Sequence, residues 1–177
     1  MVTSAVPKIL AAAAFAAHKH RDQRRKDAAA SPYINHPIAL ANILANEGGI
    51  TDATVIVAAL LHDTVEDTET TPAELQSVFG EEVAKVVMEV TDDKSLPKAR
   101  RKRLQVEHAG QISARARLVK IADKIANLRD IAASPPKDWT LERRREYFEW
   151  AKEVVDRLGD VSPSLRGAFD AAYQRKP

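Results

Sequence analysis

The stretch Ala58-Ala59-Leu60-Leu61-His62-Asp63-Thr64-Val65-Glu66-Asp67-Thr68 follows an apolar lead with one imidazole and three carboxylates in close succession. On a helix turning about 100° per residue, Glu66, Asp63 and Asp67 stand roughly 40°, 100° and 140° round from His62. Read as one continuous helix, the four groups share less than half of its circumference. Anionic groups gathered at the end of an apolar helix are costly unless a cation neutralises them. The stretch therefore points to metal binding, to proton transfer, or to both.

Two more residues can complete a ligand set. His36 precedes Pro37, which keeps it out of the helical region at a helix entry. Asp123 stands among apolar residues on an amphipathic segment that would bury its base. His36, His62, Asp63 and Asp123 then offer two imidazoles and two carboxylates, a mixture that suits Mn²⁺, Fe²⁺ or Zn²⁺ better than Ca²⁺ or Mg²⁺. The competing reading makes His36 a cap, Asp123 a surface charge and His62-Asp63 a frayed helix end, and spacing alone does not choose between the two. Glu66 and Asp67, one turn on, can orient an attacking water, take its proton and pass it to a leaving group. The alternative for them is an acidic, solvated turn, which is the assignment made for Glu69. No zinc-protease pattern, glycine-rich phosphate loop or serine elbow is present.

The elements that must position these groups read as helices throughout. An Ala-rich first helix is expected over residues 4–21, then a polar loop to residue 35, and a second helix that runs to Glu47 and stops at Gly48-Gly49. Pro37 suits that helix's first turn, and Asn35 is expected to cap it. The third helix starts after Asp52 and holds the opening stretch. Val55 to Leu61 is apolar all round, as a helix central to a domain should be. Thr71-Pro72-Ala73-Glu74 is a helix-start signal, and the helix it opens ends near Gly80. Further helices are expected over 81–91, from Lys98, from Ser113, and over 140–158 and 163–175. Apolar positions 118, 121, 122, 125 and 128 give the helix carrying Asp123 a 3.6-residue period. No alternating strand is found. The expectation is an all-α bundle of about eight to ten helices, one domain over residues 1–177.

Composition narrows the partners. The chain of 177 residues is long enough to bury a core without cross-links. It has no cysteine, which excludes disulfides and thiolate chemistry and suits a reducing cytoplasm. The net charge of +2 argues against a nucleic-acid coat, so an anionic ligand must meet local clusters of Lys and Arg. The apolar run from Ile9 to Ala17 is too short to span a bilayer and reads as a buried helix rather than a leader. No membrane partner is expected.

Several of these motifs carry a resemblance. The order His36, His62-Asp63, Asp123 is similar to that of the HD-domain metal phosphohydrolases. Arg25-Lys26, Pro32-Tyr33-Ile34-Asn35-His36-Pro37, Leu61-His62-Asp63-Thr64-Val65-Glu66-Asp67-Thr68 and Ala122-Asp123-Lys124 through Asn127-Leu128-Arg129-Asp130 resemble the hydrolase domain of RelA/SpoT-type proteins. The likeness spans roughly residues 10–155 and is nearest to the small stand-alone type found in animals. It implies an Mn²⁺-dependent enzyme that removes the 3′-diphosphate of the alarmones ppGpp and pppGpp, leaving GDP or GTP and pyrophosphate. His36, His62, Asp63 and Asp123 would hold one ion, with Zn²⁺ or Fe²⁺ as other candidates. Glu66, Asp67 and Asn127 would serve catalysis, and Arg25, Lys26, Arg143 and Tyr147 the nucleotide. The link Asp27-Ala28-Ala29-Ala30-Ser31 departs from the shorter, Ser/Gly-bearing link of many bifunctional relatives, which leaves base recognition open. Two alternatives share this centre: hydrolysis of NADPH at its 2′-phosphate or of another nucleotide, and alarmone sensing without turnover.

The substrate so implied is a polyanion beside carboxylates, so cations must border the site. The stretch from His18 to Lys26 is the expected source. Lys98 to Arg103 is assigned to a solvated helix face. Arg143 and Tyr147, four residues apart, can share one face. His18, His20 and His108 have no partner visible in sequence and are given surface or core roles.

Overall fold

The computed structural model describes residues 5–177, and ten α-helices make up these residues together with one π-helical segment. They are α1 (Ala5–Lys19), α2 (Asn35–Asn42, continued by the π segment Ile43–Glu47), α3 (Ala53–Leu61), α4 (Thr64–Asp67) and α5 (Pro72–Phe79). Then follow α6 (Glu81–Val90), α7 (Lys98–His108), α8 (Ala114–Ala133), α9 (Leu141–Arg157) and α10 (Pro163–Tyr173). No strand forms among the described residues, only an isolated antiparallel bridge between Arg24 and Pro32. The all-α expectation holds. The expected start of the first helix at Ser4 lies outside the described residues, and that helix ends at Lys19 rather than Arg21.

Helix α3 is the hub because its run from Val55 to Leu61 carries no polar side chain that needs water. All seven residues from Val55 to Leu61 are buried, and the helix packs against α1, α2, α6 and α8. Asp52 caps it by accepting the Thr54 N–H. The signal at Thr71 acts as expected: its hydroxyl accepts the Glu74 N–H and Pro72 fills the first turn of α5. Asn35 does not cap α2. It is the helix's first residue, exposed, and Ile34 stands at the cap position without a side-chain bond. The π segment ends at Gly48, where a Cβ would lie 2.9 Å from the Leu165 side chain, so glycine lets α10 close on this corner. No helix among the described residues is long and apolar enough to cross a membrane.

Candidate metal centre and its cleft

The expected continuous helix through His62 and Asp67 is broken. Helix α3 ends at Leu61, and Asp63 adopts φ −101° and ψ 0° before α4 begins. Two side chains account for the break. His62 Nδ1 bonds Ala59 O at 2.8 Å and Thr64 Oγ1 donates to Leu61 O at 2.7 Å. These carbonyls are the ones an uninterrupted helix would give to the N–H groups of Asp63 and Val65. His62 and Asp63 therefore sit in a tight corner, and Glu66 and Asp67 in the short turn after it.

That corner meets α2 and α8. Nitrogen and oxygen atoms of His36, His62 and Asp123, one from each, all lie within 4.8 Å of one another. His36 Nε2 is 3.2 Å from Asp123 Oδ1, while His36 Nδ1 and His62 Nε2 are buried without a hydrogen bond. Because His62 Nδ1 faces a carbonyl and so carries a proton, Nε2 is the ring atom that faces the cluster, and it offers a lone pair once its own proton is displaced. It stands 2.8 Å from Asp63 Oδ2. Two electron-rich atoms held that close require a positive charge between or beside them, and buried imidazole and carboxylate donors of this kind suit a divalent ion. Asp63 lies next to the three-residue set rather than in it, and its Oδ2 accepts from the Tyr33 hydroxyl. Asp123 is further held by Asn127 Nδ2 at 2.7 Å and Lys124 Nζ at 3.0 Å.

Burial shapes the charges. It keeps His36 below the ordinary imidazole value, against the pull of Asp123. Burial also lowers His62, but the Asp63 and Asp123 carboxylates more than reverse this, taking it to about 9. Asp63 and Asp123, despite burial that pushes them up, are held well below the usual carboxylate range by His62 for the first and by Lys124 and His36 for the second. Glu66 goes the other way: burial, with Asp63, Asp92 and Asp67 nearby, raises it to about 7, although its Oε2 accepts the Asp92 N–H at 2.9 Å. Tyr33 and Tyr147 are raised by burial and keep their protons, and Tyr33 gives its own to Asp63 as a hydrogen bond.

These groups line a cleft of about 550 Å³. Arg25, Asp67, Asn127, Arg143 and Tyr147 are on its walls with the metal-centre residues. Lys26 is not. It lines an adjoining cavity of about 270 Å³, which also touches Arg25, Tyr33, Trp139 and Tyr147. Arg25 donates to Asn127 Oδ1 at 3.2 Å and to Asp130 Oδ2 at 2.7 Å. Arg143 lies 4.5 Å over the Trp139 ring, and Tyr147 sits between Trp139 and Trp150. Asp67 pairs with Lys94.

The cations come chiefly from a place the sequence reading set aside. Along His18 to Lys26, Lys19 pairs with Glu69 and Glu74, and Arg21 and Arg24 bond nearby backbone carbonyls. By contrast Lys98, Arg101 and Lys102 of α7 line the main cleft, with Gln105 one turn further. Their spacing of i, i+3, i+4 and i+7 is one helix face, a signal present in the sequence. Lys124 and Trp150 were also unassigned, and Lys124 Nζ lies 4.2 Å over the Trp150 ring. Of the remaining histidines, His20 is buried against the Tyr33 ring at 4.8 Å, and His18 and His108 are exposed. The link over residues 27–31 closes tightly, with Ser31 N–H donating to Asp27 and Ala30 at φ +48°.

The family model of the HD domain matches residues 12–149, a span that holds His36 of α2, His62 at the corner after α3 and Asp123 of α8. The chain belongs to the HD-domain family. An HD domain carries a divalent-metal centre, and the His36, His62 and Asp123 donors fit one. This HD domain is similar to the guanosine-3′,5′-bis(diphosphate) 3′-pyrophosphohydrolases MESH1 of Xenopus tropicalis (56% identical over 165 residues) and Danio rerio (59% over 165 residues). Each match covers 93% of this chain and 92% of the relative. A solved structure described as a metazoan orthologue of SpoT that hydrolyses ppGpp and plays a role in starvation responses superposes with a TM-score of 0.92 at 49% identity. That superposition covers 95% of this chain and 94% of the other.

Proposed function

We propose that this HD domain hydrolyses guanosine 3′,5′-bis(diphosphate), and its 5′-triphosphate analogue, at the 3′-diphosphate, with Mn²⁺ as its metal. The observation that carries this reading is a carboxylate–imidazole centre at the floor of a cleft walled by Arg25, Lys98, Arg101 and Lys102, in a chain whose full-length relatives bear that activity in their names. The chain acts as one domain, in the cytoplasm, on a small nucleotide and without nucleic acid, in keeping with its net charge of +2.

His36, His62, Asp63 and Asp123 would hold the ion, which when bound supplies Lewis-acid polarisation of a phosphoryl oxygen. The protein supplies the rest. Glu66, poised near 7, can take the proton of a water that adds to the phosphorus joined to the ribose 3′ oxygen. The bond between that phosphorus and the 3′ oxygen breaks, pyrophosphate departs, and a proton returns to the 3′ oxygen of GDP. Asp67 lies beside Glu66 on the same wall, and Asn127 holds Asp123 in place. Lys98, Arg101 and Lys102 match diphosphate charge. Trp139, Tyr147 and Arg25 give the adjoining cavity flat apolar and cationic faces suited to a purine.

The test is a substrate panel on one purified sample. Mn²⁺-loaded protein should release pyrophosphate from ppGpp, Asp123→Ala should abolish this, and NADPH and ordinary nucleoside phosphates should turn over with much lower kcat/KM. Absence of ppGpp turnover by the loaded wild type would overturn the proposal.

A further inference from the structure

The metal ligand Asp123 and the carboxylate Glu66 are joined by a continuous chain of hydrogen bonds that leaves the metal centre and returns through α7. Lys124 Nζ donates to Asp123 Oδ2 at 3.0 Å and to Gln105 Oε1 at 3.0 Å. Gln105 Nε2 donates to both carboxylate oxygens of Asp92, at 2.9 and 2.8 Å. The Asp92 backbone N–H donates to Glu66 Oε2 at 2.9 Å. Gln105 is the one member that both accepts and donates through its side chain. Its amide cannot turn over, because that would set the NH₂ group against the Lys124 ammonium and the carbonyl against the Asp92 carboxylate. Neither glutamate nor lysine can replace it, since each offers only one of the two roles.

The position of Gln105 adds a second relationship. It is the inner end of the α7 face that presents Lys98, Arg101 and Lys102 to the cleft. The helix that would grip the substrate's phosphates is thus tied at one residue to both the metal ligand and the group that would take the water's proton. Helix α7 is also held beside Gln105 by Trp150, whose Nε1 donates to Lys102 O at 3.0 Å and whose ring covers Lys124.

We infer that Gln105 is a positioning residue for the reaction: it sets the orientation of Asp123 through Lys124 and of Glu66 through Asp92, without touching the reacting atoms. The inference rests on the hydrolase reading for its kinetic arm and on the metal centre alone for its binding arm. Without the Gln105 carbonyl, Lys124 has Asp123 as its remaining side-chain acceptor and competes with a cation for it. Without the Gln105 amide, Asp92 and the N–H it gives to Glu66 lose their anchor.

The experiment compares Gln105→Leu, Gln105→Glu and the double variant that combines Gln105→Glu with Asp92→Asn. The double variant restores the chain with reversed polarity: the amide introduced on the loop donates to the carboxylate introduced on α7, which still accepts from Lys124. Gln105→Leu and Gln105→Glu should lower kcat on ppGpp at least roughly tenfold while KM changes less than about twofold, the usual scale for losing such an outer support. Calorimetry on the metal-free proteins should show Mn²⁺ binding weakened several-fold in Gln105→Leu, and the double variant should regain most of the lost kcat. Unchanged kcat and Mn²⁺ affinity in the single variants would overturn the inference. So would a loss of kcat that tracks a lower melting temperature and is not regained in the double variant, since that describes a residue needed only for folding. If wild type does not turn over ppGpp, the proposed substrate fails, and the Mn²⁺ arm still decides the role of Gln105.

Discussion

His62 Nε2 and Asp63 Oδ2 stand 2.8 Å apart with no hydrogen-bond geometry between them, while the other nitrogen of the ring is spent on Ala59 O. A positive charge must settle that contact, and a proton and a metal ion compete to supply it. Burial lowers His62, but Asp63 and Asp123 more than offset this and take it to about 9, so the metal-free protein keeps His62 protonated at neutral pH. A divalent ion must displace that proton. Titration calorimetry in buffers of different ionisation enthalpy should therefore show about one proton released per Mn²⁺ bound near neutral pH. Apparent affinity should rise about tenfold per pH unit up to roughly pH 9 and then level off. Release of no proton would show either that His62 is already neutral in the metal-free protein or that the ion binds elsewhere.

Glu66 gives two pH signatures of opposite use. As a proton acceptor it must be ionised, so kcat should fall as pH drops through about 7. Glu66→Gln should lower kcat by about 10² to 10⁴ above pH 7, and the deficit should narrow as pH drops below it. For stability the sign is reversed. The folded carboxyl, at about 7, holds its proton more tightly than the unfolded one near 4.5. Its contribution is fully present below about 4.5 and is lost as pH rises through about 7, at a cost on the order of 3 kcal/mol above that. The melting temperature of metal-free Glu66→Gln, relative to wild type, should therefore rise between about pH 5 and pH 8 and stay flat above. A difference independent of pH would mean that Glu66 titrates as it does in the unfolded chain.

The parts of this site legible in the sequence are those where residue type alone carries the chemistry. His36, His62 and Asp123 stand out because buried imidazole and carboxylate have few other uses, and the 3.6-residue period around Asp123 placed it on a helix that the structure shows as α8. The break after Leu61 was not legible, because no glycine or proline marks it. It arises from the side chains of His62 and Thr64 capturing carbonyls of Ala59 and Leu61, a competition that only tertiary burial decides. The failure at α7 has a different origin. A run of like charges looks solvated when read residue by residue, yet taken at helical spacing it separates into Lys98, Arg101 and Lys102 on one face and Arg100 and Arg103 off it. Asn35 misled because a good capping residue stood one position inside the helix that it was expected to cap.

Tyr33 should act on the metal centre from outside it. Its hydroxyl donates to Asp63 Oδ2, and its ring packs 4.8 Å from His20. Tyr33→Phe keeps the packing and removes only the donor. Asp63 is then free to turn away from the His62 corner, and Mn²⁺ affinity measured by calorimetry should fall roughly tenfold. The metal-free protein should lose about 1–2 kcal/mol in denaturant unfolding, the cost of leaving a part-buried carboxylate with one fewer donor. Affinity equal to that of wild type would show that Asp63 needs no support from this hydroxyl.

The face of α7 gives the last prediction, because its own sequence supplies the control. Lys102 Nζ lies 4.7 Å over the Trp150 ring and 5.6 Å from the Tyr147 ring centre, so its charge is held at the cleft wall. Burial lowers both Lys98 and Lys102 from the ordinary lysine value, a cost that an anionic ligand would relieve. Arg103 is exposed and off the cleft, and Arg100 pairs with Glu107 at 3.3 Å. Lys98→Ala and Lys102→Ala should each raise KM for ppGpp by about tenfold, the worth of one charged contact to phosphate. Their KM values should also depend less steeply on salt than that of wild type. Arg100→Ala and Arg103→Ala should leave KM within about twofold of wild type, as expected for solvated charges. If all four substitutions raised KM alike, the effect would come from the overall charge of the helix, and the assignment of one binding face would be wrong.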